Sequence, residues 1–450
     1  MSARFMHIGA LLSHVGIHPA AWLEPGVPLG GEVDLANWIG MAKTAEQAKL
    51  DFIFRADSPA SREGDLEAIT RFPGHIAELE PLTIMSALAA VTKNIGLAST
   101  ISTSFYEPYN VARLYASLDH ISGGRAAWNV VTTSASIAAK NFGKTGLEDH
   151  AQRYARANEF VDVVTGLWDS WDEDAFIRNR ASGRFFDPSK RHVLDYKGEF
   201  YSVRGPLDVP RSPQGRPVIV NAGGSEAGME LAARTAEVVF SVDRSLEKAK
   251  AFYANLKGRM AKYGRRPEAL KIVCALNPYV GETDAQGQEK LDYLQSMIHP
   301  AVGREIISVD LGGIDLHNLP LDEPIPESAL PTASNATKSY FDNMVAAIRE
   351  DKLTVRQLYL ACAASRGGMN AIAGSGATIA DRMEQWFKEG AADGFMVRVS
   401  HLPGGLEDFT KYVIPELQER KLFRTEYSGP TLRDQLGLAR PQSRYRPTSS

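Results

Sequence analysis

Cysteine and long hydrophobic runs are both scarce in this chain. Only Cys274 and Cys362 occur among its 450 residues, and neither has a second cysteine or a histidine at metal-binding spacing. This pattern excludes a disulfide framework and a zinc site of the usual kind, so we expect two buried free thiols. The early apolar stretch at residues 8–12 is too short for a membrane span and is followed by no signal-peptide cleavage site, which predicts a cytoplasmic protein.

An excess of charge of one sign is lacking as well. The chain has 50 basic and 54 acidic residues, so there is no basic field to attract a nucleic acid. It also has no HxH or HExxH pair, no GxSxG elbow and no GxGxxG fingerprint. We therefore expect no metal, no serine hydrolase chemistry and no dinucleotide fold. With 44% apolar residues, the chain has the composition of a folded protein.

The sequence does contain a regular alternation of short apolar strands with stretches of helical period. The strand candidates are residues 6–12, 51–57, 95–102, 125–133, 217–223, 237–243, 270–280 and 394–399. The helix candidates are residues 33–48, 81–93, 108–121, 153–169, 225–235, 245–263, 283–297, 377–389 and 407–420. Eight strands with intervening helices favour an α/β fold of the TIM (β/α)8 barrel type over a six-stranded dinucleotide fold.

The chain is longer than the roughly 250 residues that such a barrel needs. The surplus falls at residues 170–216 and 299–376, which we interpret as large insertions on one TIM-barrel domain spanning residues 1–450. Neither segment has an evident period of its own. We therefore expect long loops that serve as a lid or as pocket walls.

Polar residues stand at the ends of three successive predicted strands. They are Asp57 on the second strand, Thr100 and Ser102 on the third, and Asn129 on the fourth. Active sites of TIM barrels lie at the carboxyl ends of the strands, which makes these residues candidates for ligand binding. Each also has an ordinary alternative role, in capping a helix or satisfying loop backbone. Their clustering on three successive strands weakens the ordinary explanation.

A glycine turn with Gly224 and Ser225 follows the fifth predicted strand and opens a helix. The free N–H groups of a helix start suit an anion such as a phosphate, although the same sequence also fits a tight turn with a serine cap. His150 and Tyr154 are four residues apart near another helix start, so they share one helix face. Together they are candidates for contacting a polar ligand, and a solvated pair is the alternative.

Taken together, several short strings resemble one family. They are Ser122-Gly123-Gly124-Arg125 with Trp128-Asn129-Val130-Val131-Thr132, Pro108-Tyr109 with Ala112-Arg113, Asn141-Phe142-Gly143, His150 with Arg153-Tyr154 and Glu159-Phe160, Arg204-Gly205-Pro206, Ser212-Pro213-Gln214-Gly215, Gly390-Ala391-Ala392-Asp393-Gly394-Phe395 and Arg424-Thr425-Glu426-Tyr427. In order and spacing they resemble the flavin-dependent two-component monooxygenases of the bacterial-luciferase superfamily. The branch is that of nitrilotriacetate monooxygenase component A and dibenzothiophene-sulfone monooxygenase.

This resemblance implies FMN as cofactor, supplied in reduced form by a separate NAD(P)H:flavin reductase. It implies that the FMN phosphate is bound by Gly224, Ser225, His150 and Tyr154, and that the ring is bordered by Asp57, Thr100, Ser102 and Asn129. It further implies a flavin peroxide that oxygenates a small organic compound carrying sulfur, an aromatic ring or a halogen. Thr133 is the candidate donor to the peroxide and His18 the candidate substrate-facing residue, with ordinary loop roles as alternatives for both.

Two other functions stay open at this point. One is a deazaflavin-dependent oxidoreductase on the same barrel, and the other is a flavin-binding relative without turnover. Departures from the family at Leu23-Glu24 and at Gly374-Ser375-Gly376 leave the substrate undetermined. A homo-oligomer, either a dimer or a tetramer, is expected.

Overall fold

The computed structural model describes residues 4–133, 135–316, 318–331, 338–366 and 370–445 of the chain. Its strands are β1 (His7–Leu11), β2 (Phe52–Arg55), β3 (Gly96–Ser102), β4 (Ala126–Val131), β5 (Tyr196–Lys197), β6 (Ser202–Val203), β7 (Val218–Asn221), β8 (Val238–Ser241), β9 (Lys271–Gly281), β10 (Ala371–Ser375) and β11 (Gly394–Val397). Eight of them, β1, β2, β3, β4, β7, β8, β9 and β11, pair in parallel in that order and close on themselves. The predicted TIM barrel is therefore confirmed.

All eight barrel strands coincide with predicted strands, and most are shorter at the carboxyl end. Residues 132–133 and 242–243, for example, leave the ladder after Val131 and Ser241. Polar residues at this end turn into the loops, where their side chains are available to a ligand. β10 was not predicted; it pairs with Asn277–Gly281 at the end of β9, outside the barrel.

The helices alternate with the barrel strands as expected. They are α1 (Leu35–Gln47), α2 (Leu66–Ile69), α3 (Pro81–Ala89), α4 (Pro108–Ser122), α5 (Ser136–Lys140), α6 (His150–Trp168), α7 (Glu226–Thr235), α8 (Leu246–Arg259), α9 (Asp284–Ser296), α10 (Pro300–Asp310), α11 (Lys338–Asp351), α12 (Val355–Ser365), α13 (Gly376–Lys388), α14 (Gly404–Asp408), α15 (Ile414–Glu419) and α16 (Leu432–Gln435). A π-helical stretch, Phe409–Val413, joins α14 to α15. Among the described residues, no helix is long and apolar enough to cross a membrane.

The core has two layers because successive side chains of a strand point to opposite faces. Ala98, Ala127, Val220, Val273 and Met396 fill the barrel interior, together with leucines of α16. The intervening residues pack outward on the helices. Trp128, for example, contacts the rings of Tyr115, Phe160 and Trp168 at centroid distances of 5.8–6.2 Å. The two predicted free thiols are confirmed, since Cys274 and Cys362 are both buried and unpaired.

The two predicted insertions lie at opposite ends of the barrel. Residues 170–216 run from the end of α6 to the start of β7, which places them at the amino end of the strands. They pack on α6, where Glu159 accepts the backbone N–H groups of Phe200 and Tyr201. The expectation that this segment covers the mouth is wrong, because a segment that connects a helix to the following barrel strand belongs to the floor.

The second insertion, residues 299–376, is largely helical in its described parts, and the prediction of a long loop there is wrong. α10 and α12 pack together, and with α11 they bury a separate apolar cluster that includes Ile307, Met344, Leu358 and Cys362. Ala20, from the loop after β1, joins this cluster. The segment lies at the carboxyl ends of the strands, because Ala20 in the loop after β1 and Arg398 after β11 both contact it. Its assignment to one domain with the barrel stays a prediction.

Candidate functional site

The carboxyl ends of the barrel strands, which we call the mouth, hold all the predicted site residues. Thr100 and Asn129 lie on paired positions of β3 and β4. Both have the same inward direction as Ala98 and Ala127, which line the barrel interior. The order of strands around the barrel places β7 and its glycine turn across the mouth from β1 and the loop that carries His18.

Asn129 has an incompletely satisfied side chain in this buried setting. Its Nδ2 donates to Thr100 Oγ1 at 2.9 Å, and Thr100 donates onward to the backbone oxygen of Arg55 at 3.1 Å. Both side chains are 3% exposed, and Asn129 Oδ1 has no hydrogen-bond partner among the described residues. A buried carbonyl oxygen without a donor is costly, so this atom is suited to accept an N–H from a ligand.

Ser102 and Thr133 are joined directly. Their hydroxyl oxygens are 2.6 Å apart, and Ser102 Oγ also accepts the backbone N–H of Ser104 at 3.1 Å. Arg153, from the first turns of α6, donates to the backbone oxygen of Thr133. One hydroxyl proton is used within the pair, which leaves the other free to be donated toward the mouth.

The glycine turn after β7 forms a tightly packed cradle with α6. A Cβ atom at Gly223 would lie 2.9 Å from Gly228 Cα and 3.2 Å from the hydroxyl oxygen of Tyr154, so neither glycine has room for a side chain. Ser225 caps α7 by accepting the N–H of Gly228 at 3.1 Å. The N–H groups of Glu226 and Ala227, in the first turn of α7, have no acceptor among the described residues. The ring of His150 packs at a tilt against the ring of Tyr154, with ring centroids 4.7 Å apart.

The cradle and Asn129 can be compared with what the phosphate and the ring of FMN require. The phosphate of FMN needs N–H and hydroxyl donors at a close backbone approach, and the cradle supplies both. The flavin ring has an edge of alternating N–H and C=O groups, and Asn129 Oδ1 is an unfilled acceptor for such an N–H. The residues present therefore fit FMN.

An acidic corner lies at the end of β2. Burial and the neighbouring Glu80 raise the pKa of Asp57 to about 6. Burial alone would also raise the pKa of Glu78, but His75 and Arg55 lower it to about 2. Arg55 Nη2 lies 3.0 Å from Glu78 Oε2. Asp57 is therefore the carboxyl group of this corner that changes protonation nearest to neutral pH.

His18 is almost completely enclosed, at 1% exposure. Its Nδ1 accepts the N–H of Ala20 at 3.2 Å, so the ring proton resides on Nε2, which has no acceptor in the described chain. Burial and the nearby His401 lower the pKa of His18 to about 3. His18 is therefore a neutral donor at neutral pH and is not a cation.

Sequence reasoning missed a second set of mouth residues, around Arg398. Arg398 follows β11 with the inward direction of Met396, and its Nε donates to Asn277 Oδ1 at 2.9 Å. Asn277 in turn donates to Asn370 at 2.6 Å. The apolar run that predicted a strand over residues 394–399 included Arg398, and this concealed a charged residue at a strand end. Charge at the carboxyl end of an apolar strand is the signal that would have identified it.

A separate cavity of about 370 Å³ lies between the loop after β1 and the start of α10. Its lining includes Pro19, Trp22, Arg71 and His299, and contains no predicted site residue. In the part of the chain that the structure describes, no group of three or more His, Cys, Asp or Glu side chains is arranged to hold a metal ion.

Comparison with known proteins gives consistent results. The family described as luciferase-like monooxygenase matches residues 16–393. The chain is 47% identical over 440 residues to N-acetyl-S-(2-succino)cysteine monooxygenase of Bacillus subtilis, covering 97% of this chain and 98% of that protein. It is 46% identical over 444 residues to nitrilotriacetate monooxygenase component A of Aminobacter aminovorans, covering 97% of each chain.

A solved structure gives the same result for the fold. Riboflavin lyase, determined with modified FMN and riboflavin, superposes with a TM-score of 0.83 at 28% identity and covers 96% of each chain.

Proposed function

This chain belongs to the luciferase-like monooxygenase family and is an oxidoreductase, and on that premise we propose how its mouth works. It binds FMN in the reduced form, which a separate NAD(P)H:flavin reductase delivers. It then transfers one oxygen atom of O₂ to a small organic compound. The observation that carries the proposal is the pairing of a phosphate-sized glycine cradle with an unfilled acceptor, Asn129 Oδ1, in one barrel mouth.

The cradle holds the phosphate end of the cofactor. The hydroxyl groups of Tyr154 and Ser225 lie at the start of α7, and the ring of His150 packs against Tyr154. The N-terminus of a helix favours an anion through its aligned dipoles, by about 0.3–1 kcal/mol at an exposed site. Asn129, Thr100, Ser102 and Asp57 border the ring.

When bound, the reduced flavin supplies the electrons that activate O₂. The protein residues orient the ring, donate hydrogen bonds and exclude water. Asn129 orients the ring by accepting an N–H group, and the Ser102–Thr133 pair holds a hydroxyl proton at the mouth. Thr100, Ser102 and Asn129 are all buried, which keeps this part of the site dry. Asp57, with its pKa raised by burial, both holds and releases a proton near neutral pH.

The substrate, compartment and assembly belong to the proposal as well. The two relatives named above act on N-acetyl-S-(2-succino)cysteine and nitrilotriacetate, which are small carboxylates. We extend to this chain a small organic substrate and a component-A role beside a reductase. We propose the cytoplasm as its compartment, because two buried free thiols fit a reducing environment. A dimer or tetramer is proposed, and light scattering after gel filtration will determine the assembly.

The test combines the purified chain with FMN, NADH, a flavin reductase and isotopically labelled O₂. The substrate panel has a carboxylate set of nitrilotriacetate and N-acetyl-S-(2-succino)cysteine, and a neutral set of dibenzothiophene sulfone and dimethyl sulfide. We expect one labelled oxygen atom in the product of at least one compound, as measured by mass spectrometry. Omission of the reductase with oxidised FMN should abolish incorporation.

Two outcomes of this test would contradict the proposal, and each supports a different alternative. Tight binding of reduced FMN with no incorporation into any compound supports the flavin-binding relative without turnover. Hydride transfer with a reduced deazaflavin, independent of O₂, supports the deazaflavin-dependent oxidoreductase. Either outcome contradicts the proposed monooxygenation.

A further inference from the structure

We propose that Arg398 and His18 form a subsite for a carboxylate group of the substrate, at the junction between the barrel mouth and the second insertion. The inference rests on the proposed function, because it assigns a substrate class to the same mouth. It is carried by two buried side chains whose N–H groups are not all used.

Arg398 is a buried cation without an anionic partner. It is 7% exposed and donates to Asn277 Oδ1, to the hydroxyl oxygen of Tyr340 and to the backbone oxygen of Ser365, all of which are neutral. It forms no ion pair with any carboxylate of the described residues. The residues outside the described ranges contain no Asp or Glu, so no side-chain carboxylate of the chain pairs with it.

Other buried arginines show that this is unusual. Arg55, Arg211, Arg424 and Arg433 each pair with a carboxylate. Arg125 has none, but all five of its side-chain N–H groups donate to neutral oxygen atoms. Among the described residues, Arg398 has acceptors for only three of its five side-chain N–H groups. A buried guanidinium with unused donors and no counter-charge is costly unless an anion completes it.

His18 supplies a further donor in the same corner. Its backbone N–H donates to the oxygen of Ser400, two residues after Arg398, at 3.0 Å. Its ring meets the edge of Tyr279 at a centroid distance of 6.4 Å, and Tyr279 donates to Ala364, the residue before the Ser365 that Arg398 contacts. His18 Nε2–H is buried and has no acceptor among the described residues. The remaining N–H groups of Arg398 and the imidazole N–H of His18 are donors of the kind that a carboxylate accepts.

The subsite also explains why two arginines join the second insertion to the barrel in different ways. Arg244, after β8, pairs with Glu350 at 3.1 Å and with Asp351 of α11. Its charge is compensated, and its role is structural. Arg398 connects to α11 and α12 through neutral atoms only, which leaves its charge available to a bound ligand. Arg244 is therefore the matched control for Arg398.

The experiment measures binding and turnover separately. Kd values are determined by calorimetry for nitrilotriacetate, N-acetyl-S-(2-succino)cysteine and the trimethyl ester of nitrilotriacetate, with the wild type, Arg398→Met, Arg398→Lys, His18→Phe and Arg244→Met. FMN affinity and the unfolding temperature are measured for each variant. The charged compound that binds wild type tightest is the reference ligand.

We expect Arg398→Met to weaken the reference ligand about tenfold to a hundredfold, the range of a lost charged hydrogen bond. Arg398→Lys should recover part of this loss, His18→Phe should lose less than Arg398→Met, and Arg244→Met should match wild type. The ester should bind weakly to every form, and FMN affinity should not change. In turnover, the loss should appear in KM for carboxylates and not for neutral compounds.

Four binding results would each overturn the subsite. They are no carboxylate binding to wild type, equal binding of acid and ester, equal losses in Arg398→Met and Arg244→Met, or loss of FMN affinity in Arg398→Met, which would assign the guanidinium to the flavin. Oxygenation confined to the neutral compounds would refute the subsite and leave the proposed function standing. Absence of oxygenation with every compound would refute the function, while carboxylate binding would still be decided by calorimetry.

Discussion

The floor and the mouth of this barrel differ in how their buried acidic and polar side chains are paired. On the floor, Asp51 precedes β2 and pairs with Arg424, with His7 and with the N–H of Ile8, the last at 2.7 Å. At the mouth, Asn129 Oδ1 and His18 Nε2 are buried and have no partner in the described part of the chain. The floor uses polar groups to fix the ends of strands, whereas the mouth leaves part of its hydrogen-bonding capacity for a ligand.

Other acids of the floor follow the pattern of Asp51. Glu237 precedes β8 and pairs with Arg433, and Asp393 precedes β11 and accepts the N–H of Ile272 at 2.9 Å. Burial alone would raise the pKa of Asp51, but Arg424 and His7 hold it below its usual value. Substitutions on the floor should therefore change stability first. Substitutions at the mouth should change binding first.

The largest expected effect is on the floor. Asp51→Ala leaves the buried guanidinium of Arg424 without its carboxylate and should lower the free energy of unfolding by about 3–5 kcal/mol. Urea denaturation measures this. Lys250→Ala, which breaks a half-exposed pair with Glu389, is the control and should cost less than about 1 kcal/mol. Equal effects of the two substitutions would contradict the structural role assigned to the floor.

The second prediction concerns a substitution that should stabilise the protein, whereas the first should destabilise it. Asp57 has its pKa raised from 3.8 to about 6, so the folded state disfavours its charged form. This penalty is absent below pH 4, develops as the pH rises toward 6 and is complete above it. Asp57→Asn should therefore stabilise the protein at pH 8 by about 1–3 kcal/mol and have little effect at pH 4. Denaturation curves at the two pH values decide this. A variant less stable than wild type at pH 8 would show that Asp57 has stabilising partners.

The third effect concerns the glycine cradle. Gly223→Ala would place a Cβ 2.9 Å from Gly228 Cα, which forces the turn to shift. We expect reduced FMN to bind about tenfold more weakly, a loss of 1.4 kcal/mol. Gly258→Ala in α8, where a Cβ meets nothing within 4 Å, is the matched control. It should leave flavin affinity unchanged and stabilise the helix by up to about 1 kcal/mol. Flavin affinity that survives Gly223→Ala would exclude the cradle as the phosphate site.

The smallest effect separates capping from binding. Ser225 and Ser245 cap α7 and α8 in the same way, each accepting the N–H three residues on. Replacing either with Ala should cost about 1 kcal/mol of stability. Only Ser225→Ala should also weaken reduced FMN, by several-fold, and Tyr154→Phe should do the same without a capping cost. Identical flavin affinities in Ser225→Ala and Ser245→Ala would show that Ser225 caps the helix and does not bind the flavin.

The sequence predicted the strands of the barrel better than the chemistry of its site. Apolar runs located every barrel strand, and the strand-end rule identified Thr100, Asn129 and Ser102 as neighbours. Whether a polar atom is left without a partner depends on distances between separate strands, so the unfilled oxygen of Asn129 was not predictable. Arg398 was concealed by the apolar run around it. The helices of the second insertion were missed because their apolar faces pack on one another in a cluster separate from the barrel core.

The leucines of α16 have a consequence for how the protein is made. Leu432 and Leu436 close the barrel interior at the floor, and Arg433 pairs with the buried Glu237. All eight barrel strands precede them in the chain. During translation, the sheet is thus complete before the residues that seal its lower end leave the ribosome. A nascent chain stopped before residue 432 leaves the apolar interior open at the floor and Glu237 without its Arg433 partner.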